Sequence, residues 1–246
     1  MTSHGPNRLA PRFCMCAMAL LLVYSPLAAE PCGIGKLSSF LGSTCTVGNV
    51  EFTFGSYQGN ISADQLVFNP NIDSSTSIGF TLSGISLTGN LDHPIQSCNG
   101  SLQYSMETMG GFDVYALSVD PELSILSGFQ KASMMGRTAT SLTLAGADDF
   151  YLEKTVTCVS QMPVCVPSIL QYPYFNSAFR MASGSFDFGG GFESGPEPAS
   201  FTLAPNLRVA LIPNPEPGTV ALVGTGCAAL LGWARRRRKT LRNTKD

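Results

Sequence analysis

Apolar residues recur at every second position through much of this chain. Val50, Phe52 and Phe54 fall on one face of an extended segment, as do Leu102, Tyr104 and Met106. Leu142 and Leu144, Phe186 and Phe188, and Leu207, Val209 and Leu211 repeat the pattern. A period of two is that of a strand with one buried face. Clusters of Gly, Asn, Ser and Pro separate the runs, so the pattern predicts an all-β, antiparallel, jelly-roll-like β-sandwich. In IGFTLSGISLTG the apolar phase runs through Ile78, Phe80 and Leu82 and then slips to Ile85 and Leu87. The slip predicts a one-residue insertion, a β-bulge, at Ser83-Gly84. Asp120-Pro121-Glu122 has the Asp cap and first-position Pro of a single helical turn. Gly189-Gly190-Gly191 reads as a mobile loop, because no Lys-Ser or strand-to-helix context follows it to make a phosphate cradle.

Two segments break the alternation. Phe13 to Val23 is an apolar run behind Arg8 and Arg12, and Ser25-Pro26-Leu27-Ala28-Ala29 follows it as a small-residue exit. Together they predict a secretory signal peptide over 1–29, cleaved after Ala29. Leu27 is not the small residue preferred there, which leaves a neighbouring bond as the alternative. At the other end, the 17 residues from Gly218 to Ala234 carry no charge. As a helix they cover roughly 26 Å against a hydrocarbon core of about 30 Å, which predicts one C-terminal transmembrane helix over 218–234. Trp233 falls at headgroup level, and Arg235, Arg236, Arg237, Arg238 and Lys239 anchor the tail, 235–246, in the cytoplasm. Between the two ends lie an ectodomain, 30–210, and a linker, 211–217, containing Pro215, Glu216 and Pro217.

Processing changes the charge balance. The whole chain is -2, but two of its 15 basic residues lie in the signal peptide and seven beyond Gly218, whereas only Asp246 of its 17 acids lies beyond that point. The exported part is therefore about -10, a sign that repels nucleic acid and argues against it as a partner. The arginine run serves as a topology anchor.

Cysteine usage fits export. Cys32, Cys45, Cys98, Cys158 and Cys165 remain once the two ends are set aside, an odd number in an oxidising compartment. Cys158 with Cys165 is the favoured pair because Gln161-Met162-Pro163 can turn between them. Cys32 with Cys45 is favoured as a short N-terminal loop, with Cys45 to Cys98 as its rival. No C-x-x-C occurs and His93 is the one histidine left after export, so no metal site and no cofactor are read. His93 stands in a turn between Asp92 and Pro94, and no G-x-S-x-G is present, which argues against a Ser-His-Asp site. Two carboxylates would suffice for glycoside hydrolysis, and Asp113, Asp120, Glu122, Asp148, Asp149 and Glu153 are the acids on offer. Solvated loop acids are the plainer reading, and no catalytic residue is assigned.

Pro215-Glu216-Pro217 directly before Gly218-Thr219-Val220-Ala221-Leu222-Val223-Gly224, then the short apolar stretch and Arg235 to Arg238, resembles the bacterial PEP-CTERM sorting signal. The resemblance implies that the tail is the substrate of an exosortase, a membrane-embedded cysteine transpeptidase-like enzyme. Such an enzyme cuts near the motif and transfers the ectodomain to the cell surface or its exopolysaccharide. The order of features in the body, from Cys45-Thr46-Val47-Gly48 to YLEKTVTC, is also similar to ectodomains of PEP-CTERM proteins and carries no known active site.

The expected function is that of an exported, non-enzymatic structural or interaction protein of the surface or exopolysaccharide. Its partners are the secretion translocon, signal peptidase, the membrane, an exosortase and exopolysaccharide. The precursor holds its ectodomain outside the inner membrane, and the mature form is at the cell surface or extracellular. One alternative is a carbohydrate-binding module, with or without calcium, in which Tyr172, Tyr174 and Phe175 stack on sugar rings. A secreted glycan hydrolase is the other.

Overall fold

The computed structural model describes residues 29–89, 97–127, 133–144, 149–158, 165–168, 174–194, 199–214 and 225–226. The signal peptide up to residue 28, His93, Asp148, Tyr172, Pro215-Glu216-Pro217, Trp233 and the basic tail lie outside these residues, as does the expected span except for Thr225 and Gly226, which are helical. Among the described residues no helix is long and apolar enough to cross a membrane.

The chain is all-β. Its strands are β1 (Gly35–Lys36), β2 (Thr44–Val47), β3 (Val50–Gly59), β4 (Val67–Ser74), β5 (Ser77–Ser83), β6 (Ile85–Gly89), β7 (Ser97–Thr108), β8 (Phe112–Ser127), β9 (Ser133–Leu144), β10 (Phe150–Cys158), β11 (Cys165–Ser168), β12 (Tyr174–Phe179), β13 (Met181–Ser194) and β14 (Ala199–Pro213). They form two antiparallel sheets of seven strands. The first is ordered β11-β10-β9-β13-β7-β3-β2, and the second β1-β4-β5-β14-β8-β12, with β6 beside β14.

Alternation decides which side chains meet between the sheets. Phe52 and Phe54 on β3, Leu102 on β7 and Phe186 on β13 point inward from the first sheet, and Phe68, Phe80, Leu82 and Phe201 from the second, all fully buried. Phe80 is the centre of this packing. Its ring lies 5.7 Å from Phe52, 5.8 Å from Phe54 and 5.2 Å from Phe186 across the gap, each edge to face, and 5.3 Å from Phe68 beside it. Edge-to-face contacts set the positive rim of one ring against the negative face of the next.

The expected bulge is present. Thr81 pairs with Asn206 and Ile85 with Leu203, so four steps along β5 and β6 match three along β14. Gly84 absorbs the extra residue at φ 92°, and a Cβ there would lie 2.4 Å from the Gln65 carbonyl oxygen. Glycine alone fits both demands. Ile78, Phe80, Leu82, Ile85 and Leu87 are consequently all buried despite the change of phase.

Three expectations need correction. Asp120-Pro121-Glu122 opens no helical turn but continues β8, where Pro121 pairs with Pro205 of β14. Two facing prolines exchange no N–H bond, so they occupy a non-hydrogen-bonded pair. On its other side Pro205 meets the break between β5 and β6, where no ladder donor is required. Gly189-Gly190-Gly191 is no loop, since all three pair with β7 on one side and β9 on the other. Their missing side chains admit neighbours: a Cβ on Gly190 would meet the Met135 carbonyl at 3.2 Å and Leu203 at 3.3 Å. Finally, the linker does not begin at 211. Leu211, Ile212 and Pro213 extend β14 against Val114, Asp113 and Phe112, and Leu211 is buried.

Cys32–Cys45 and Cys158–Cys165 are disulfide-bonded, and Cys98 is a buried free thiol whose pKa burial pushes up to about 11. The first bond fastens the start of the described chain to β2: Cys32 N–H donates to the Thr46 carbonyl at 2.8 Å, and Thr46 N–H to the Glu30 carbonyl at 2.9 Å. Closing a loop of this length stabilises by about 2–4 kcal/mol. Replacing Cys32 and Cys45 by Ser is therefore expected to lower the urea midpoint correspondingly and to raise hydrogen exchange at Thr46. Removing Cys158 and Cys165 should loosen the β10–β11 hairpin, where the two cysteines pair directly.

Candidate functional site

The middle of the outward face of the first sheet is built mainly from short polar side chains. Thr44, Thr53, Ser105, Ser183 and Thr143 stand in register across β2, β3, β7, β13 and β9. Gln103, Ser185 and Ser141 form the next row. The local cause is alternation again. On β13, Ser183, Ser185 and Asp187 interleave with Ala182, Phe186 and Phe188, which face the core. The rows line a shallow depression of about 470 Å³ floored in part by Gly55 and Gly184. A Cβ on Gly184 would fall 1.8 Å from the Ser141 carbonyl oxygen, so this floor requires glycine.

The hydroxyls are linked to one another. Thr44 and Thr53 lie 2.9 Å apart, Ser141 and Ser185 likewise, and Ser185 Oγ donates to Asp187 at 2.8 Å. Below them, Thr140 Oγ1 donates to the Ser185 carbonyl at 2.9 Å and meets the buried Tyr104 hydroxyl at 2.8 Å, tying the face to the core.

One aromatic ring flanks these rows. Tyr151 pairs with Ser141 across β10 and β9 and is 55% exposed. Its hydroxyl donates to Glu153 Oε2 and accepts from Arg137 Nη2 at 2.7 Å, while Arg137 Nε reaches Glu153 Oε1 at 2.8 Å. The ring is thus held in place at its polar end. Burial raises the Tyr151 pKa and its bond to Glu153 raises it further. Burial alone would raise the Glu153 carboxyl, but hydrogen bonds from Tyr151 and Arg137, with the guanidinium charge, outweigh it and hold the carboxyl below its ordinary 4.5.

A carboxyl pKa depressed by folding stabilises above the unfolded value, and that contribution disappears as pH falls through the folded pKa. Glu153→Gln should therefore be less stable than wild type at pH 6 by the worth of a surface ion pair, up to about 1 kcal/mol. The gap should close on acidification below the ordinary carboxylate pKa. Urea unfolding across that range checks it.

The other candidate acids are engaged locally. Asp113 accepts from Arg180 Nε at 3.0 Å and from the Asn214 side-chain amide, and Asp120 pairs with Lys154 at 2.6 Å. Glu122 accepts from Asn206 at 3.0 Å and Asp149 from Thr143 at 2.9 Å. Among the described residues no group of three or more His, Cys, Asp or Glu is placed to hold a metal ion. Tyr174 and Phe175 open β12, on the opposite sheet from Tyr151. Arg137, Tyr151 and the hydroxyl rows went unread in sequence because they assemble only through strand register; the Ser-x-Ser-x-Asp alternation at 183–187 was the available local signal.

At the exit from the domain, Asn214 N–H donates to the Gly111 carbonyl at 2.6 Å. The next residue begins the segment that identifies the tail: residues 215–239 match the family model of the PEP-CTERM protein-sorting motif. The chain therefore carries a C-terminal sorting signal of the exosortase type, which supports export and sorting to the surface. No curated protein matches the chain.

Proposed function

We propose that this is an exported, non-enzymatic structural or interaction protein, a jelly-roll-like β-sandwich anchored as a precursor by residues 218–234 and released by an exosortase to the cell surface or its exopolysaccharide. The observation that carries the reading is the sorting motif at 215–239, which starts directly behind the last residue tied to the folded domain, Asn214. A Sec-type leader supplies the route to translocon and signal peptidase. Intact mass and terminal sequencing of protein from the surface fraction and the medium test it. The expected product begins near Glu30 and lacks Trp233 to Asp246. A product that retains the arginine run would remove the sorting reading.

A second reading, a carbohydrate-binding module, is favoured by one feature. Tyr151 is an exposed ring held rigid at its hydroxyl beside a depression lined with hydroxyls and the Gln103 amide. A preordered aromatic loses little freedom on stacking. Glycan-array binding with and without calcium, set beside turnover on polysaccharides, separates binder, structural protein and hydrolase; Tyr151→Ala should abolish array signal if this face binds sugar.

A further inference from the structure

We infer that one end of the domain is a seat for the bilayer surface, a contact that fixes the folded domain against the membrane while the precursor awaits sorting. The inference rests on the anchored-precursor reading above. Four connections lie at the end where the chain leaves: Gly48-Asn49 between β2 and β3, Ser75-Thr76 between β4 and β5, Met109 to Gly111 between β7 and β8, and the bend at Arg180. They are bonded into one surface spanning both sheets. Met109 N–H donates to the Asn49 carbonyl at 2.9 Å, Asn49 Nδ2 to the Ser75 carbonyl at 3.3 Å, and Leu211 N–H to the Thr76 carbonyl at 2.8 Å. Thr108 N–H donates to the Arg180 carbonyl at 2.9 Å.

Asn214 is clamped into this same surface. Its N–H bonds Gly111 and its amide bonds Asp113, which is itself buried and paired with Arg180. From Asn214 to Gly218, where the uncharged stretch starts, the chain can reach at most roughly 14 Å. The surface is therefore held close to whatever the apolar stretch enters.

Exposed apolar side chains stand around its rim, on strands of both sheets. Ile72, Met181 and Ile212 are 62%, 53% and 39% exposed, and each lies within three residues of one of these connections or of the exit. Cationic attraction is not the basis: Arg180 is paired with Asp113, and Glu51 faces Glu107 on the flank. The contact is apolar and needs little intrinsic affinity, because the tether supplies a high effective concentration.

The test uses the full-length precursor in phosphatidylcholine nanodiscs, read by hydrogen exchange at Gly48–Asn49, Met109–Gly111 and Ser75–Thr76. Inserting a flexible Gly-Ser spacer of about ten residues between Asn214 and Pro215 removes the tether constraint. We expect exchange at these turns to speed up about tenfold in the spacer variant, and equally in Ile72→Ser/Met181→Ser/Ile212→Ser, with no change on adding salt. Equal exchange with and without spacer, in a precursor that still floats with lipid, would overturn the seat and leave the anchor standing. A precursor that fails to float would remove both. Protection that appears only after exosortase is added would assign the surface to the enzyme and overturn the proposal.

Discussion

Phe80→Ala is expected to destabilise the domain by about 3–5 kcal/mol, the range for truncating a buried phenylalanine. Several features place it at the upper end. The ring is fully buried and touches Phe52, Phe54 and Phe186 of the facing sheet as well as Phe68 of its own. Neighbours that are themselves rings on paired strands cannot collapse into the gap without moving backbone. Just before it, Gly79 locks the strand further, since a Cβ there would stand 1.9 Å from the Leu207 carbonyl oxygen. Total stability of a domain is about 5–15 kcal/mol, so the loss is a third or more of it in most cases. Phe80→Leu, which refills part of the space, should cost markedly less. Urea unfolding of the purified exported protein, followed by circular dichroism, measures both. A Phe80→Ala midpoint within error of wild type would mean that the sheets do not depend on this cluster.

Replacing Pro215-Glu216-Pro217 by Ala-Ala-Ala should leave folding intact and stop sorting. The domain is complete before the motif, because β14 ends at Pro213 and Asn214 is bonded to Gly111. The two prolines lack amide hydrogens and disfavour helix at the residue before each, Asn214 and Glu216, and the prediction is that the enzyme needs a segment with these properties. Alanines would let a helix grow back toward the domain and would remove the acid. The uncleaved precursor is expected to accumulate in the inner membrane, with little mature protein at the surface. An immunoblot of fractionated cells, with an exosortase deletion alongside, reads the outcome. Mature mass in both strains would show Pro-Glu-Pro to be a spacer only.

The strands and even the bulge at Gly84 were legible in the sequence because each depends on a local period: a slip from Leu82 to Ile85 has one geometric meaning once both faces are assigned. Asp120-Pro121-Glu122 was misread for the opposite reason. A proline inside a strand is tolerated only when its partner and its outer neighbour require no N–H, and Pro205 lies 84 residues away. The end of β14 was likewise hidden, since Leu211 continues the apolar alternation but nothing local says that Ile212 and Pro213 still have a partner in Phe112 and Asp113. The hydroxyl face is the extreme case. No single strand carries it, and Tyr151 is recognisable as a fixed ring only when Arg137 on the neighbouring strand is seen beside it.

The bonds at Thr46 bear on how the chain survives before it is complete. A strand at the border of a sheet presents unpaired groups that another molecule can adopt as a template. Here β2 ends the first sheet, and residues Glu30 to Cys32 cover it, fastened by Cys32–Cys45. That bond belongs to an oxidising compartment. Protection against self-association is thus acquired on crossing the membrane, and a chain retained in reducing surroundings keeps its border strand guarded by main-chain bonds alone. Expression of the ectodomain without oxidation should accordingly yield aggregates seeded at Thr44–Val47.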